Sequence, residues 1–191
     1  MRVVDVIMPA DTSTDALRFT PDYRERLRLR DGTEVLLRLV IPADRLLLKR
    51  GMDRFSPESR YQRFLGTKHE LTEDELGYLT ELDGVDHFAL GALATDAEGQ
   101  AQGVGVARFV RFGDETDDAE PTVAVVDAYQ GRGLGTVLFA RLMDAARERG
   151  IRRFHGRMLA HNKVMRALLH HASPTVRWTG GGYVSEFWLD L

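Results

Sequence analysis

Gln130-Gly131-Arg132-Gly133-Leu134-Gly135 sets three glycines at alternate positions directly ahead of an amphipathic run. The chemistry open to such a turn is holding a phosphate. A strand that enters a helix through glycines leaves several backbone N–H groups unpaired at the helix start. Those donors and the positive end of the helix dipole together make an anion site. Glycine lets the backbone approach a bulky phosphate, and Arg132 can add a charge-assisted contact. A Walker-type loop is excluded because no Gly-Lys-Ser/Thr follows. A dinucleotide fingerprint is excluded by spacing, since G-x-G-x-x-G does not match glycines at every second position. The structural alternative is a tight strand-to-helix turn whose glycines serve packing.

Other chemistries find less support. The chain has no Cys, which removes disulfides, thiolate nucleophiles and Cys-containing zinc sites. No Ser sits in a nucleophile elbow, so a covalent acyl-enzyme has little basis. His170-His171 invites a metal reading, but helix neighbours point about 100° apart and no acid cluster joins them. Surface or packing roles suit that pair better, and no metal is expected.

The elements that must position the loop follow from pattern. Tyr23–Val40 alternates around Asp31-Gly32, the signal of a two-residue hairpin whose turn positions need positive φ. Pro42 fits the first turn of a helix running to about Arg54. Ser56-Pro57-Glu58 reads as an N-cap opening a helix through Phe64, and Thr72 with Glu75 as a capping box. His87–Thr95 and Gly103–Arg111 read as strands joined by a hairpin loop. Gly113–Asp118 reads as an acidic loop before a strand over Thr122–Asp127. Leu134, Leu138, Leu142 and Ala145 line one face of a helix from Gly133 to Arg149, closed by Gly150. Ile151–Leu159 reads as a strand, Lys163–His171 as a helix, and Val176–Leu189 as a hairpin around Gly180-Gly181-Gly182. This mixed order, with hairpins at both ends, predicts an α/β domain of α+β character rather than a regular doubly wound sheet.

At 191 residues the chain suits a single domain over residues 21–191, preceded by an extension over 1–20 that is an arm or an added strand. Net charge is −3 and the pI is near 6.1, so no general basic surface for nucleic acid is expected. The apolar run Val3–Met8 is broken by Asp5 and too short for a signal-peptide core. No stretch approaches the roughly 20 apolar residues of a membrane span. A cytoplasmic location with no membrane partner is the expectation.

With that placement, Gln130 to Gly135 matches Q/R-x-x-G-x-G/A, and the chain resembles the GNAT superfamily of N-acetyltransferases from about Leu27 to Leu191. Further segments resemble the bacterial Pat-like protein lysine acetyltransferase subgroup: Arg30-Asp31-Gly32, Ser56-Pro57-Glu58-Ser59-Arg60-Tyr61-Gln62-Arg63-Phe64, Ala119-Glu120 ten residues ahead of Gln130, and Asn162 followed by Met165. The resemblance implies the GNAT fold, a central mixed, mostly antiparallel sheet flanked by helices. It implies acetyl-CoA as co-substrate and a primary amine as acceptor, either a protein lysine or a small molecule, with a homodimer possible. It implies pyrophosphate contacts from Gln130, Gly131, Arg132, Gly133, Leu134, Gly135 and Thr136. Backbone groups of Val125 and Val126 would hold the acetyl carbonyl and pantetheine, and Asn162 the pantetheine or phosphate arm. For Asn162 a helix N-cap is the alternative role, and both can hold.

Acetyl transfer requires the amine to lose its proton, because lysine with a pKa near about 10.4 is almost wholly charged at pH 7. By resemblance Glu120 is the general base. At about 3.3 Å per residue it would lie roughly 20 Å along the strand from Val126, which calls for a water-mediated proton path. The competing view makes Glu120 one of four acids in an exposed turn with Glu115, Asp117 and Asp118. Asp127 is a second candidate base, or the end of the strand. The Tyr-x-x-x-Gly-Phe ending that supplies a general acid in many relatives is replaced by Leu168-Leu-His-His-Ala-Ser-Pro. Tyr183 and His161 are possible substitutes, or the thiolate takes its proton from solvent. Arg60, Tyr61 and Arg63 either line the acceptor cleft or form structural ion pairs. A non-catalytic acyl-CoA sensor and an NTP-binding protein are the readings from other classes.

Overall fold

Asp31-Gly32 reverses the chain as expected, but by a longer connection. In the computed structural model, which describes residues 17–113 and 116–191, β1 (Arg24–Arg28) pairs β2 (Glu34–Leu39) across residues 29–33. Only Gly32 takes positive φ, at 88°, while Asp31 instead accepts the Thr33 N–H at 3.1 Å. A side-chain turn thus replaces the second left-handed residue. Residues 1–16 of the proposed extension lie outside the described residues. Phe19 is fully buried beside Tyr23 and Phe88.

A 3-10 turn over Pro42–Asp44 leads into α1 (Arg45–Asp53). Next comes α2 (Pro57–Phe64), whose Ser56 cap accepts the Ser59 N–H at 3.1 Å, and α3 (Glu73–Thr80), opened by the expected Thr72–Glu75 box. Then follow β3 (His87–Thr95), β4 (Ala101–Arg111), β5 (Asp118–Val125), a 3-10 turn over Asp127–Tyr129, α4 (Leu134–Glu148), β6 (Arg153–Leu159), α5 (Lys163–Ala172), β7 (Arg177–Thr179) and β8 (Val184–Asp190). The eight strands lie in the order β1-β2-β3-β4-β5-β6-β8-β7, every pair antiparallel except β5–β6. This is the mixed, mostly antiparallel sheet that the resemblance implied.

The central strand begins four residues earlier than its pattern suggested and ends two earlier. Asp118, Glu120 and Pro121 look like turn residues in isolation, yet pairing with β4 overrides their propensity. Glu120 is therefore a strand residue opposite Val110. Asp127 lies beyond the strand, in the 3-10 turn.

Helix α4 buries Leu134, Leu138, Leu142 and Ala145 on one side of the sheet. Each fully buried leucine contributes about 1.5–3 kcal/mol. The helix seats closely because β4 has no side chain at Gly105. A Cβ there would stand 2.9 Å from Leu138 Cδ1 and 3.4 Å from Leu134 Cδ2. A buried ion pair fixes the same helix to the edge of the sheet: Arg141 donates to both oxygens of Glu25 at 2.8 and 2.7 Å, and Tyr23 Oη donates to the same carboxylate. Burial alone would raise the Glu25 pKa. Hydrogen bonds from Arg141 and Tyr23 outweigh it and hold the carboxyl below its usual range.

Candidate functional site

β5 and β6 run side by side only briefly. They pair at Asp118–Arg153 and Ala119–Phe154, and from there the strands part. The register says why. Arg153 N–H donates to Asp117 O at 3.2 Å, and Val126 N–H donates to Val104 O at 3.1 Å. Backbone groups alternate along a strand, so the odd-numbered residues of β5 face β6 and the even-numbered ones face β4. The next donor toward β6 after Ala119 is residue 121, a proline with no N–H to give. Beyond it, the amides of Val123 and Val125 point into the gap.

The gap leads to the glycine loop. Gly131 and Gly133 hold φ of 71° and 91°, a region that L side chains rarely enter, which accounts for two of the three glycines by conformation. Gly133 is the N-cap of α4 and offers no side-chain cap, so the N–H groups of Leu134, Gly135 and Thr136 remain open at the positive helix end. Leu134 takes part through its backbone only, since its side chain is fully buried. Gly135 answers to a different constraint. Its φ is not positive, and a Cβ would make only an ordinary 3.8 Å contact with Val125 Cγ2. Nothing inside the protein demands glycine at that position. Apart from that contact, no other atom outside the helix's own backbone and the adjacent residues stands within 4 Å of the added Cβ.

The remaining residues singled out in the sequence fall into three groups. Val126 is buried, and both its backbone groups are engaged, by Val104 O and Tyr129 N–H, so it has none left for a ligand in the gap. Gln130 turns inward, and its Nε2 donates to Val125 O at 3.0 Å, Asp127 Oδ1 at 3.1 Å and Ser59 Oγ at 3.3 Å. Arg132 pairs with Asp31 and stacks over Tyr129 at 5.0 Å, which ties the loop to the β1–β2 hairpin. Asn162 is the N-cap of α5, its Oδ1 accepting the Met165 N–H at 2.9 Å.

Asp127 has a structural occupation. Its oxygens accept Ser56 N–H at 3.0 Å, Ser59 Oγ–H at 2.7 Å and Gln130 Nε2–H at 3.1 Å. Partial burial would raise its pKa, but these bonds prevail and hold the carboxyl below the ordinary range. Such a group is a poor proton acceptor.

On the opposite face of the sheet from α4, Glu120 is exposed and looks toward α2 and α3. Arg63, at the end of α2, shares this cleft with Tyr78 and Arg108. Tyr61 and Tyr183 are joined by a hydrogen bond between their hydroxyls, which links α2 to the start of β8 across the mouth of the gap. Its bond to Tyr61 raises the Tyr183 pKa. The His161 ring lies 6.0 Å from Tyr183. His170 and His171 are exposed at the end of α5, and among the described residues no group of three or more His, Asp or Glu converges. Among the described residues no helix is long and apolar enough to cross a membrane. Sequence reasoning missed Val123 and Pro121. The proline inside a strand was the available signal, because it marks an edge where no partner can be offered a donor.

Comparison with known proteins agrees with this fold. Residues 54–172 match the model of the acetyltransferase (GNAT) family. The chain is 36% identical over 150 residues to the acetyltransferase Pat of Mycolicibacterium smegmatis, covering 75% of this chain and 42% of that protein. It is 35% identical over 140 residues to the acetyltransferase PA5475 of Pseudomonas aeruginosa, covering 73% of this chain and 74% of that one. The crystal structure of the GNAT domain of S. lividans PAT superposes with a TM-score of 0.78 at 29% identity, over 88% of this chain and 97% of that domain.

Proposed function

The chain belongs to the GNAT acetyltransferase family, and on that premise we propose that it transfers an acetyl group from acetyl-CoA to a primary amine, the side chain of a protein lysine, by direct attack in a ternary complex. One observation carries the proposal: the parting of β5 from β6 leaves the Val123 and Val125 amides free on a line that ends at the uncapped start of α4. A pantetheine arm laid along that edge supplies the acceptors that the missing strand would have given. The pyrophosphate then meets the N–H groups of Leu134, Gly135 and Thr136.

The chemistry follows from these positions. Glu120 takes a proton from the acceptor ammonium, through water where the gap requires it, and leaves a neutral amine. The nitrogen attacks the thioester carbonyl carbon while the Val123 amide donates to the developing oxyanion. The carbon–sulfur bond then breaks, the nitrogen releases its second proton, and the thiolate is protonated from solvent. For a lysine acceptor, two features give support. The segments around Asp31 and Ser56–Phe64 resemble the protein lysine subgroup. The outer face of β6, β8 and β7 beside Glu120 is also open, carrying exposed Arg157, Glu186 and Arg177.

The test is thioester turnover. With labelled acetyl-CoA and a panel of proteins, peptides and small amines, the expected result is equimolar release of CoA and labelled N-acetyl product. Tight acetyl-CoA binding with no CoA release across the panel would replace the enzyme with a sensor. Saturable ATP binding with none of CoA would overturn the reading of the loop.

A further inference from the structure

Arg63 has no hydrogen bond or ion pair among the described residues, and its guanidinium lies over the Phe64 ring at 5.0 Å. Other half-buried arginines have partners: Arg38 grips Asp44, Arg111 meets Asp86 and Arg141 holds Glu25. Burial pushes the Arg63 pKa down, with Glu120 and Tyr78 pulling the other way. Behind it, Arg108 is buried on β4 and also lacks a carboxylate. It donates to Leu79 O at 2.9 Å and meets His87 Nε2 at 2.8 Å. Burial, and then the neighbouring Arg63, lower the Arg108 pKa to about 10. Two guanidinium groups near enough to disfavour one another's charge, both drawn from water and neither paired with a carboxylate, are costly to fold. The planar fork of Arg63 is open to a carboxylate on two parallel bonds, while Arg108 already gives one nitrogen to Leu79 O and meets His87 with the other. Glu120 does not fill that role, because no ion pair within 4.0 Å joins it to Arg63.

We infer that Arg63, backed by Arg108, forms a carboxylate subsite in the acceptor cleft, so that preferred acceptors carry a carboxylate within a few bonds or one residue of the reacting amine. The inference rests on the amine-transfer reading above and narrows it. Glu120 faces the amine, and Arg63, whose charge the Glu120 carboxylate and the Tyr78 hydroxyl both favour, faces the anion that accompanies it. Two sources fit this chemistry: an Asp or Glu beside a target lysine in a protein, and the carboxylate of a free amino acid.

The experiment offers both sources to the full chain with acetyl-CoA. One set is peptides with a central lysine and randomised flanks. The other is free amino acids, each paired with its carboxamide. For the wild type, the expected result is a bias of about tenfold or more in kcat/KM for the carboxylate-bearing member, expressed in KM. Arg63→Gln removes the bias, Arg63→Lys keeps part of it, and both retain wild-type acetyl-CoA affinity. Enrichment of Asp and Glu in the peptide products alone assigns a protein acceptor, and bias among the amino acids alone assigns a small one. Products without bias, or bias that survives Arg63→Gln, would overturn the subsite and leave acetyl transfer standing. No product from either set, with acetyl-CoA bound, would overturn transfer itself and the subsite with it.

Discussion

Ser59 Oγ donates to Asp127 Oδ1 at 2.7 Å, so the first turn of α2 is fastened to the turn that precedes the glycine loop. With Ser56 N–H on the other oxygen and Gln130 bridging from the loop, one carboxylate joins α2 to the glycine loop. Asp127→Ala removes the acceptor of Ser56 N–H and Ser59 Oγ–H and one of the three that Gln130 uses, and should cost about 1–3 kcal/mol in denaturant unfolding. The acid limb reports the same group. Its pKa is lowered in the fold, so its contribution is complete above the unfolded value near about 3.9 and lost as pH falls below it. Wild type and variant should therefore converge in stability toward pH 3. A gap that stays constant with pH would assign the loss to something other than the carboxylate charge.

Glu120→Gln keeps the side-chain volume and removes the base. We expect unchanged acetyl-CoA affinity by calorimetry and kcat lower by roughly two to four orders of magnitude in thiol-release assays. Wild-type turnover in this variant would return Glu120 to the status of an exposed acid on β5.

Gly135→Ala separates packing from ligand space. The added methyl meets only Val125 Cγ2 at an ordinary distance, and alanine is the better helix former. Thermal stability should hold or rise slightly, while acetyl-CoA binding weakens by about tenfold or more because the methyl occupies phosphate space. Equal affinity in the two proteins would mean that the phosphates lie elsewhere.

His87, packed against Tyr78 and beside Arg108, has its pKa lowered to about 4, by burial first and by the Arg108 charge second. The unfolded chain binds that proton near about pH 6.5. The stability that neutral His87 contributes is thus fully present above pH 6.5 and is lost as pH falls toward 4. Urea midpoints measured from pH 7 to pH 4 should fall more steeply for wild type than for His87→Gln. Parallel curves would show that His87 titrates normally.

Much of this was legible in the residues. The Ser56 and Thr72 caps, the hairpin at Asp31-Gly32 and the loop into α4 are local signals, and local hydrogen bonding decides each of them. The start of β5 was not legible, since Asp118, Glu120 and Pro121 become strand only through pairing with β4, a contact distant in sequence. The distinction between Val125 and Val126 was equally hidden. Both are valines at a strand end, and only the direction of each amide, set by Val104, separates the free one from the engaged one. Pairings such as Arg132 with Asp31 join residues about a hundred positions apart, beyond the reach of any periodicity.

Two rungs, Asp118–Arg153 and Ala119–Phe154, are all that stitch β1–β5 to β6–β8 within the sheet. Within the sheet these are two plates sharing a short seam, and the Tyr61–Tyr183 hydrogen bond joins α2 to the start of β8. A chain laid in the seam would stiffen the plates against one another before any amine could be gripped between them. On the function proposed above, the seam predicts ordered binding, thioester before acceptor, with amide exchange at Val123 and Val125 slowing when acetyl-CoA alone is added.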